Sequence, residues 1–161
     1  NTHFGRCRKR GNDRHERTFL TRHAIREEVN LVNKKFDTRE TVLLCTNAAL
    51  KKKAKDLIIL KVQELSSFTD FFVICSGSSD RQVQAIADSI ETDLKKSGVL
   101  PLGVEGGRSG KWILIDYGDV VVHVFYEATR EFYDIERLWA DAPSMTVSEN
   151  AQEIKDLEDN M

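Results

Sequence analysis

Few side chains in this sequence combine residue type and spacing in a way that predicts chemistry. Asp116 and Asp119 stand close together between two apolar segments, which is typical of a hairpin turn whose aspartates accept backbone hydrogen bonds. The same carboxylates are also suited to binding a lysine or arginine of a partner. As a metal pair they lack a third oxygen ligand nearby. The four histidines show neither HxxxH nor CxxH spacing, so no metal site is predicted.

Covalent catalysis and phosphate binding each have one candidate segment. Cys75 ends an apolar run just before a predicted helix start, where the helix dipole lowers a thiol pKa, but a buried small hydrophobic residue is the favoured interpretation. Gly77-Ser78-Ser79 lies at the same helix start and suits an anion, yet the chain has neither G-x-x-x-x-G-K-S/T nor G-x-G-x-x-G. We therefore predict no catalytic residue, no cofactor and no metal.

The segments that would position these side chains have the pattern of a mixed α/β sheet. Apolar runs predict five strands, at residues 57–62, 71–75, 100–104, 112–117 and 120–126. Pro101 has no amide hydrogen to donate, so the third strand belongs at an edge, and Gly118 predicts a tight hairpin between the last two. The strand–helix–strand unit at 71–104 implies one parallel crossover. The predicted fold is a mixed five-stranded sheet flanked by helices.

Capping residues mark where the helices begin and end. Ser79 and Gln82 form a capping box, and Gly98 ends the helix that follows. Asp37 is expected to cap an earlier helix. His123 lies in the alternating apolar pattern of the last strand, which predicts a strand histidine with a partly packed ring.

Three regions follow one another along the chain. Residues 1–36 are predicted to be a poorly ordered or weakly helical basic extension, residues 37–143 an α/β domain, and residues 144–161 an acidic tail that is either loose or a marginal helix. Basic residues outnumber acidic ones by eleven to six in residues 1–40, whereas acidic residues outnumber basic ones by twenty to thirteen in residues 41–161. Because an acidic surface repels phosphate backbones, direct DNA binding is not expected, and a basic protein partner fits better.

Composition excludes several other classes of protein. A chain of 161 residues predicts one main domain. No segment approaches ~18 consecutive apolar residues, so neither a membrane span nor a membrane partner is predicted. Cys7, Cys45 and Cys75 are too widely spaced for a disulfide framework, which points to a reducing compartment.

The last two predicted strands are apolar on both faces. Trp112 and Leu114 point to one side of the sheet, and Ile113, Ile115 and Tyr117 point to the other. Two or three modest helices cannot easily cover both faces, so an apolar patch is expected to stay open, and such a patch usually marks a protein interface. The alternative is that the N-terminal segment or a homodimer partner covers it.

Three longer motifs carry more information than composition does. They are residues 66–83 (SSFTDFFVICSGSSDRQV), 110–125 (GKWILIDYGDVVVHVF) and 129–139 (TREFYDIERLW). Together they closely resemble the ribosomal silencing factor family, RsfS or Iojap-like, over a match that spans residues 41–143.

The resemblance implies a nucleotidyltransferase-like α/β fold without transferase activity. Enzymes of that wider fold carry a Gly-Ser followed by paired strand carboxylates, whereas here Gly77-Ser78 is followed by Asp80 and Asp88, which fall on a helix. The family's role implies a protein that binds ribosomal protein fourteen of the large subunit. There it would sterically block joining of the small subunit and so repress translation.

The family's tryptophan–hairpin motif, carried onto this sequence, makes five residues the expected partner-binding set: Lys111, Trp112, Asp116, Tyr117 and Asp119. The two aromatic residues are expected as anchors, the two aspartates as partners for cationic side chains, and the lysine as a contact at the rim. For Trp112 the alternative is simple core packing. The resemblance also implies homodimers, with the same sheet face as a candidate interface.

Both the location and the function of the protein have an alternative. The expected location is the bacterial cytoplasm, with the mitochondrion or plastid as the alternative, because residues 1–40 lie outside the resemblance. Two other functions compete with the ribosomal one: a nucleotide-binding enzyme that uses the Gly77-Ser78-Ser79 turn, and a dimeric scaffold with no ribosomal role.

Overall fold

The computed structural model describes residues 36–159 and 161. The weak helix predicted within residues 1–36 lies outside the described residues, apart from Phe36. Described in chain order, the elements are α1 (Thr38–Lys51), β1 (Lys55–Lys61), β2 (Phe71–Gly77), α2 (Asp80–Lys96), β3 (Gly103–Glu105), β4 (Trp112–Asp116), β5 (Val120–Tyr126), α3 (Glu127–Tyr133), a 3-10 helix (Ile135–Trp139) and β6 (Ser144–Thr146). No helix in this part of the chain is long and apolar enough to cross a bilayer.

The strands form one mixed sheet in the order β3-β4-β5-β2-β1-β6. Among the strands that the structure describes, β2 and β5 pair in parallel and the other neighbours are antiparallel. All five predicted strands are present and the third lies at an edge, but it spans Gly103–Glu105 and leaves Pro101 outside it, and the strand count of five is wrong. The sixth strand, β6, was not predicted because its three residues contain only one large apolar side chain and show no alternation of apolar and polar residues.

Side-chain capping marks the start of α2 but not that of α1. The Ser79 hydroxyl accepts a hydrogen bond from the Gln82 amide at 3.1 Å, as predicted. The Gln82 side chain accepts from the amide of Ser78 at 2.7 Å, one residue earlier than a capping box would place it. Asp37 occupies the predicted cap position of α1, but its side chain makes no capping hydrogen bond.

The sheet carries a large core on one face and a smaller one on the other. Helices α1 and α2 cover the first face and enclose buried aliphatic side chains that include Val42, Leu57, Ile59, Val73, Ile86, Ile90, Ile113, Ile115 and Val122. The second face has a smaller cluster around Ile74 and Phe125, against which Ile135 and Trp139 of the 3-10 helix pack. The 3-10 helix therefore covers the β1–β2 half of this face and leaves the β4–β5 half less protected.

The acidic tail is neither loose nor helical where it is described. Val147, Leu157 and Met161 are buried in the first core. The side-chain amide of Asn47 donates to the carbonyl of Ile154 at 3.0 Å, and its oxygen accepts from the amide of Ile154 at 2.8 Å. Both predicted states of the tail are wrong, because its order depends on an α1 residue more than one hundred positions away.

Gly77 ends β2 where a Cβ atom would lie 3.0 Å from the backbone nitrogen and the Cγ2 of Val83. Gly77→Ala is expected to push α2 from the sheet and to lower the free energy of unfolding by about 2 kcal/mol. Gly103→Ala is the matched control, because a Cβ there meets nothing within 4 Å. Urea denaturation measures both variants. Equal stability of the two would contradict the close approach of α2 to β2.

Candidate protein-binding surface

The β4–β5 hairpin sends alternate side chains to opposite faces of the sheet, as predicted. Ile113 and Ile115 are buried on the face that the helices cover. Trp112, Leu114 and Asp116 are only half-buried on the second face. The hairpin therefore keeps accessible apolar surface on the second face.

Trp112 is held in an aromatic cluster on this face. Its ring stacks on Phe125 with centroids 4.8 Å apart and meets Tyr133 of α3 at 5.1 Å. Its indole Nε1 donates a hydrogen bond to Nδ1 of His123 at 3.2 Å. Because the polar atom of the indole is bonded internally, Trp112 presents carbon surface to its surroundings.

His123 lies on β5 as predicted, but it is buried more deeply than the expected partly packed ring. Only 6% of the residue is exposed, and burial lowers the pKa of its imidazole from 6.5 to about 4. The ring meets Phe72 edge-on at 5.0 Å. Among the described residues, its buried Nε2 has no hydrogen-bond partner, and the ring hydrogen-bonds to Trp112 through Nδ1.

A shallow groove of about 440 Å³ runs beside Trp112. Its walls come from β4, β5, α3 and the loop before β4, and are formed by Ser109, Lys111, Trp112, Tyr126, Ala128, Thr129, Phe132 and Tyr133. Phe132 is 81% exposed, and Leu138 on the following 3-10 helix is 78% exposed. We call Trp112, Leu114, Phe132 and Tyr133 the Trp112 surface. Its accessible aromatic area makes it suited to protein binding.

The turn end of the hairpin carries the two predicted aspartates. Oδ1 of Asp116 accepts from the amide of Gly118 at 2.8 Å, which confirms the predicted turn chemistry. Oδ2 of Asp119 accepts from the hydroxyl of Thr38 at 3.5 Å, beside the start of α1. Burial, followed by the charge of Asp119, raises the pKa of Asp70. A cationic group of a partner would relieve this repulsion between Asp70 and Asp119.

Tyr117 does not belong to this surface. It is 4% exposed and packs in the first core with Ile113 and Ile115. Burial, followed by the nearby Cys45 and Glu91, raises the pKa of its hydroxyl. Its predicted role as a surface anchor is wrong, and the alternation of side chains along the strand already contained the signal that it faces inwards.

The four remaining candidates do not converge on one point. Lys111 is exposed and precedes Trp112 at the start of β4, whereas Asp116 and Asp119 lie at the turn end. A strand of this length separates Lys111 from Asp116 by about 16 Å. The hairpin thus forms an elongated strip, with a cation and the aromatic cluster at one end and carboxylates at the other.

The sequence pattern did not single out Arg130 as a structural tie. Its Nη1 donates to the carbonyl of Asp56 at 2.7 Å and to the hydroxyl of Ser76 at 2.8 Å, and its guanidinium pairs with Glu136. Its side chain is only 12% exposed. It ties α3 and the 3-10 helix to β1 and β2, and so supports the segment that bears Phe132 and Tyr133.

The residues considered for catalysis have structural roles. The Ser78 and Ser79 hydroxyls and the amides of Ser78 and Gln82 are hydrogen-bonded to one another within the cap of α2, so these groups are already paired. Burial raises the pKa of Cys75 to about 12, the opposite of what a nucleophilic thiol requires. Within residues 36–159 and 161, no group of three His, Cys, Asp or Glu side chains could hold a metal ion.

The Trp112 surface is thus an accessible aromatic patch on an acidic α/β domain, which is the character of a protein-binding surface. The family model described as "Ribosomal silencing factor during starvation", RsfS, matches residues 35–160. The chain belongs to this family of ribosomal silencing factors. The match also covers residues 144–160, which lie beyond the motifs that carry the resemblance.

Similar proteins support this membership. The chain is 42% identical over 107 residues to a ribosomal silencing factor of Halalkalibacterium halodurans, covering 66% of this chain and 92% of that protein. A crystal structure of the Chromobacterium violaceum protein CV0518 has a TM-score of 0.65 at 41% identity, covering 73% of this chain and 98% of that one. A mouse protein named "Mitochondrial assembly of ribosomal large subunit protein 1" is 32% identical over 92 residues, 55% of this chain and 40% of that protein.

Proposed function

We propose that this protein binds the large ribosomal subunit through its ribosomal protein fourteen and sterically blocks joining of the small subunit, which represses translation. The observation that carries the proposal is the Trp112 surface, an accessible aromatic patch on the second face of the sheet, with Asp116 further along the same strand. The names of the bacterial and mouse relatives supply the ribosome and its large subunit as the target. We also propose that the α/β domain is a nucleotidyltransferase-like scaffold that is used for binding.

The charges of the domain fit such a target. Residues 41–161 carry twenty acidic and thirteen basic residues, and a ribosomal protein that lies among RNA is basic. Carboxylates at the turn end would speed association and set the orientation, whereas Trp112 would supply most of the affinity. Lys111 would contact the rim of the interface. Tyr117 is left out of the proposed site because it is buried.

The proposed mechanism requires only the size of the domain and its position on the large subunit. A domain of this size is about 35 Å across. A rigid body of that size, docked on the face of the large subunit that meets the small one, prevents the two from approaching. Repression then follows from occupancy alone, and no chemical step is needed.

The proposal is tested by sedimentation of purified large subunits with the wild-type protein and two variants. Trp112→Ala is expected to weaken binding at least ~30-fold, as loss of a central aromatic anchor does. Asp119→Lys is expected to weaken it mainly at low salt. Asp88→Lys is the matched control, because it makes the same charge change on an exposed site of α2.

The following results of the sedimentation experiment would contradict the proposal. Wild-type protein that stays at the top of the gradient at low salt would contradict ribosome binding. If Trp112→Ala and Asp119→Lys keep the wild-type melting temperature and still cosediment fully, the interface lies elsewhere on the domain. Addition of small subunits completes the test, because bound wild-type protein should reduce the yield of joined ribosomes.

We further propose that a second copy of the chain pairs through the same surface and competes with the ribosome. The exposed side chains of Phe132 and Leu138 favour this, because neither contributes to a core in the monomer. Light scattering of the wild-type protein and of Phe132→Ser measures the molar mass in solution and so the fraction of dimer. A dimer lost in the variant supports the proposal, and a monomer at every concentration contradicts it. The place of action we propose is the bacterial cytoplasm, with the mitochondrion or plastid as the alternative.

A further inference from the structure

The hydrogen bond between Trp112 and His123 has a role that packing does not explain. His123 lies among the rings of Phe72, Trp112 and Phe125, and 6% of it is exposed. Burying an imidazole with one unpaired nitrogen destabilises the fold, whereas a leucine would fill the same apolar space without that desolvation penalty. What the imidazole adds is an acceptor, Nδ1, for the indole of Trp112.

That acceptor fixes the direction in which the indole points. Trp112 is the first residue of β4 and follows the glycine-rich loop of residues 106–110, so the chain before it gives little lateral support. Tyr133 and Phe125 contact its ring, and stacking contacts allow the ring to slide. The bond from Nε1 to His123 is directional, and without it the N–H would have to turn towards water.

We propose that His123 is a positioning residue for partner binding, holding the indole of Trp112 so that its carbon surface forms part of the Trp112 surface. This inference rests on the proposed function, because it concerns the same site. His123 itself is too buried to touch a partner, so it acts only through Trp112. In the free protein the bond pre-organises the anchor, which reduces the entropy that binding must overcome.

Two variants of nearly equal shape separate positioning from packing. His123→Asn places an oxygen near the position of Nδ1 and keeps an acceptor, whereas His123→Leu has the same branched shape and no acceptor. We expect His123→Asn to bind large subunits within ~3-fold of the wild type and His123→Leu to bind about tenfold more weakly. In this apolar setting packing alone predicts the opposite order, with leucine as the better substitute.

A second measurement reports the indole directly. The chain has two tryptophans, so a ¹⁵N-labelled sample gives two indole N–H signals, and Trp139→Phe assigns them. The Trp112 signal should exchange slowly with solvent in wild type and His123→Asn, and rapidly in His123→Leu. Unchanged exchange in His123→Leu would overturn the inference.

The remaining outcomes separate this inference from the proposed function. If Trp112→Ala loses binding but both His123 variants bind like wild type, or His123→Asn binds as weakly as His123→Leu, only the positioning role is overturned. If Trp112→Ala binds like wild type, or the wild type does not bind, the proposed site fails and this inference fails with it.

Discussion

Replacing Arg130 with methionine is expected to lower the free energy of unfolding by about 3 kcal/mol, because it leaves partly buried polar groups without their cation. The guanidinium is hydrogen-bonded to the Asp56 carbonyl and the Ser76 hydroxyl and paired with the Glu136 carboxylate. Ser76 is 1% exposed, so water cannot easily replace the lost donor. Urea denaturation followed by tryptophan fluorescence measures the loss.

The matched control for Arg130→Met is Lys51→Met. Lys51 pairs with Asp93 at 2.6 Å, but 63% of its side chain is exposed, so breaking this pair should cost less than about 1 kcal/mol. Equal losses in the two variants would show that the guanidinium is not a tie between elements. The double variant Arg130→Met/Glu136→Leu should recover part of the loss, because it removes the stranded carboxylate as well.

The Arg130 variant should also affect binding. Its side chain joins the segment after β5 to β1 and β2, and that segment carries Phe132, Tyr133 and the 3-10 helix. Loosening it would disturb the contact between Tyr133 and Trp112. Weaker sedimentation with large subunits is therefore expected even where most of the variant remains folded.

The stability of the domain should fall as pH is lowered from about 6.5 to about 4. Burial lowers the pKa of His123 from 6.5 to about 4, so across this interval the unfolded chain binds a proton that the folded chain does not. The contribution of this group is complete above pH 6.5 and is lost as pH falls to 4. The lowered pKa of His123 therefore corresponds to a loss of roughly 3 kcal/mol in the free energy of unfolding across this pH range, at ~1.4 kcal/mol for each pH unit.

A difference experiment isolates His123 from the other titrating groups. Burial raises the pKa of both Asp70 and Glu91, and the charge of Asp119 or Asp88 adds to it, so these carboxyls bind protons more readily when folded and act in the opposite direction. The stability of wild type minus that of His123→Asn should fall with pH by roughly 3 kcal/mol, since the carboxyl contributions cancel. A flat difference from pH 7 to pH 4 would contradict a buried neutral His123.

Local patterns determined most of the sheet and of the strip on its second face. Side-chain alternation separated Trp112 and Leu114 from Ile113 and Ile115, and the structure keeps them on opposite faces. Ser79 marked the start of α2, because a cap acts through a residue three positions away. These features depend on interactions within a few residues, so the sequence displays them directly.

Tertiary structure alone decided the residues that act across long separations in the chain. Arg130 meets Ser76 and Asp56, which lie 54 and 74 positions earlier, and Asn47 binds Ile154 across 107 positions. The pairing of β6 with β1 is of the same kind. Periodicity and capping are local properties of the chain, whereas these contacts depend on the path of the backbone through space. The sequence therefore does not indicate which distant partner a polar side chain will contact.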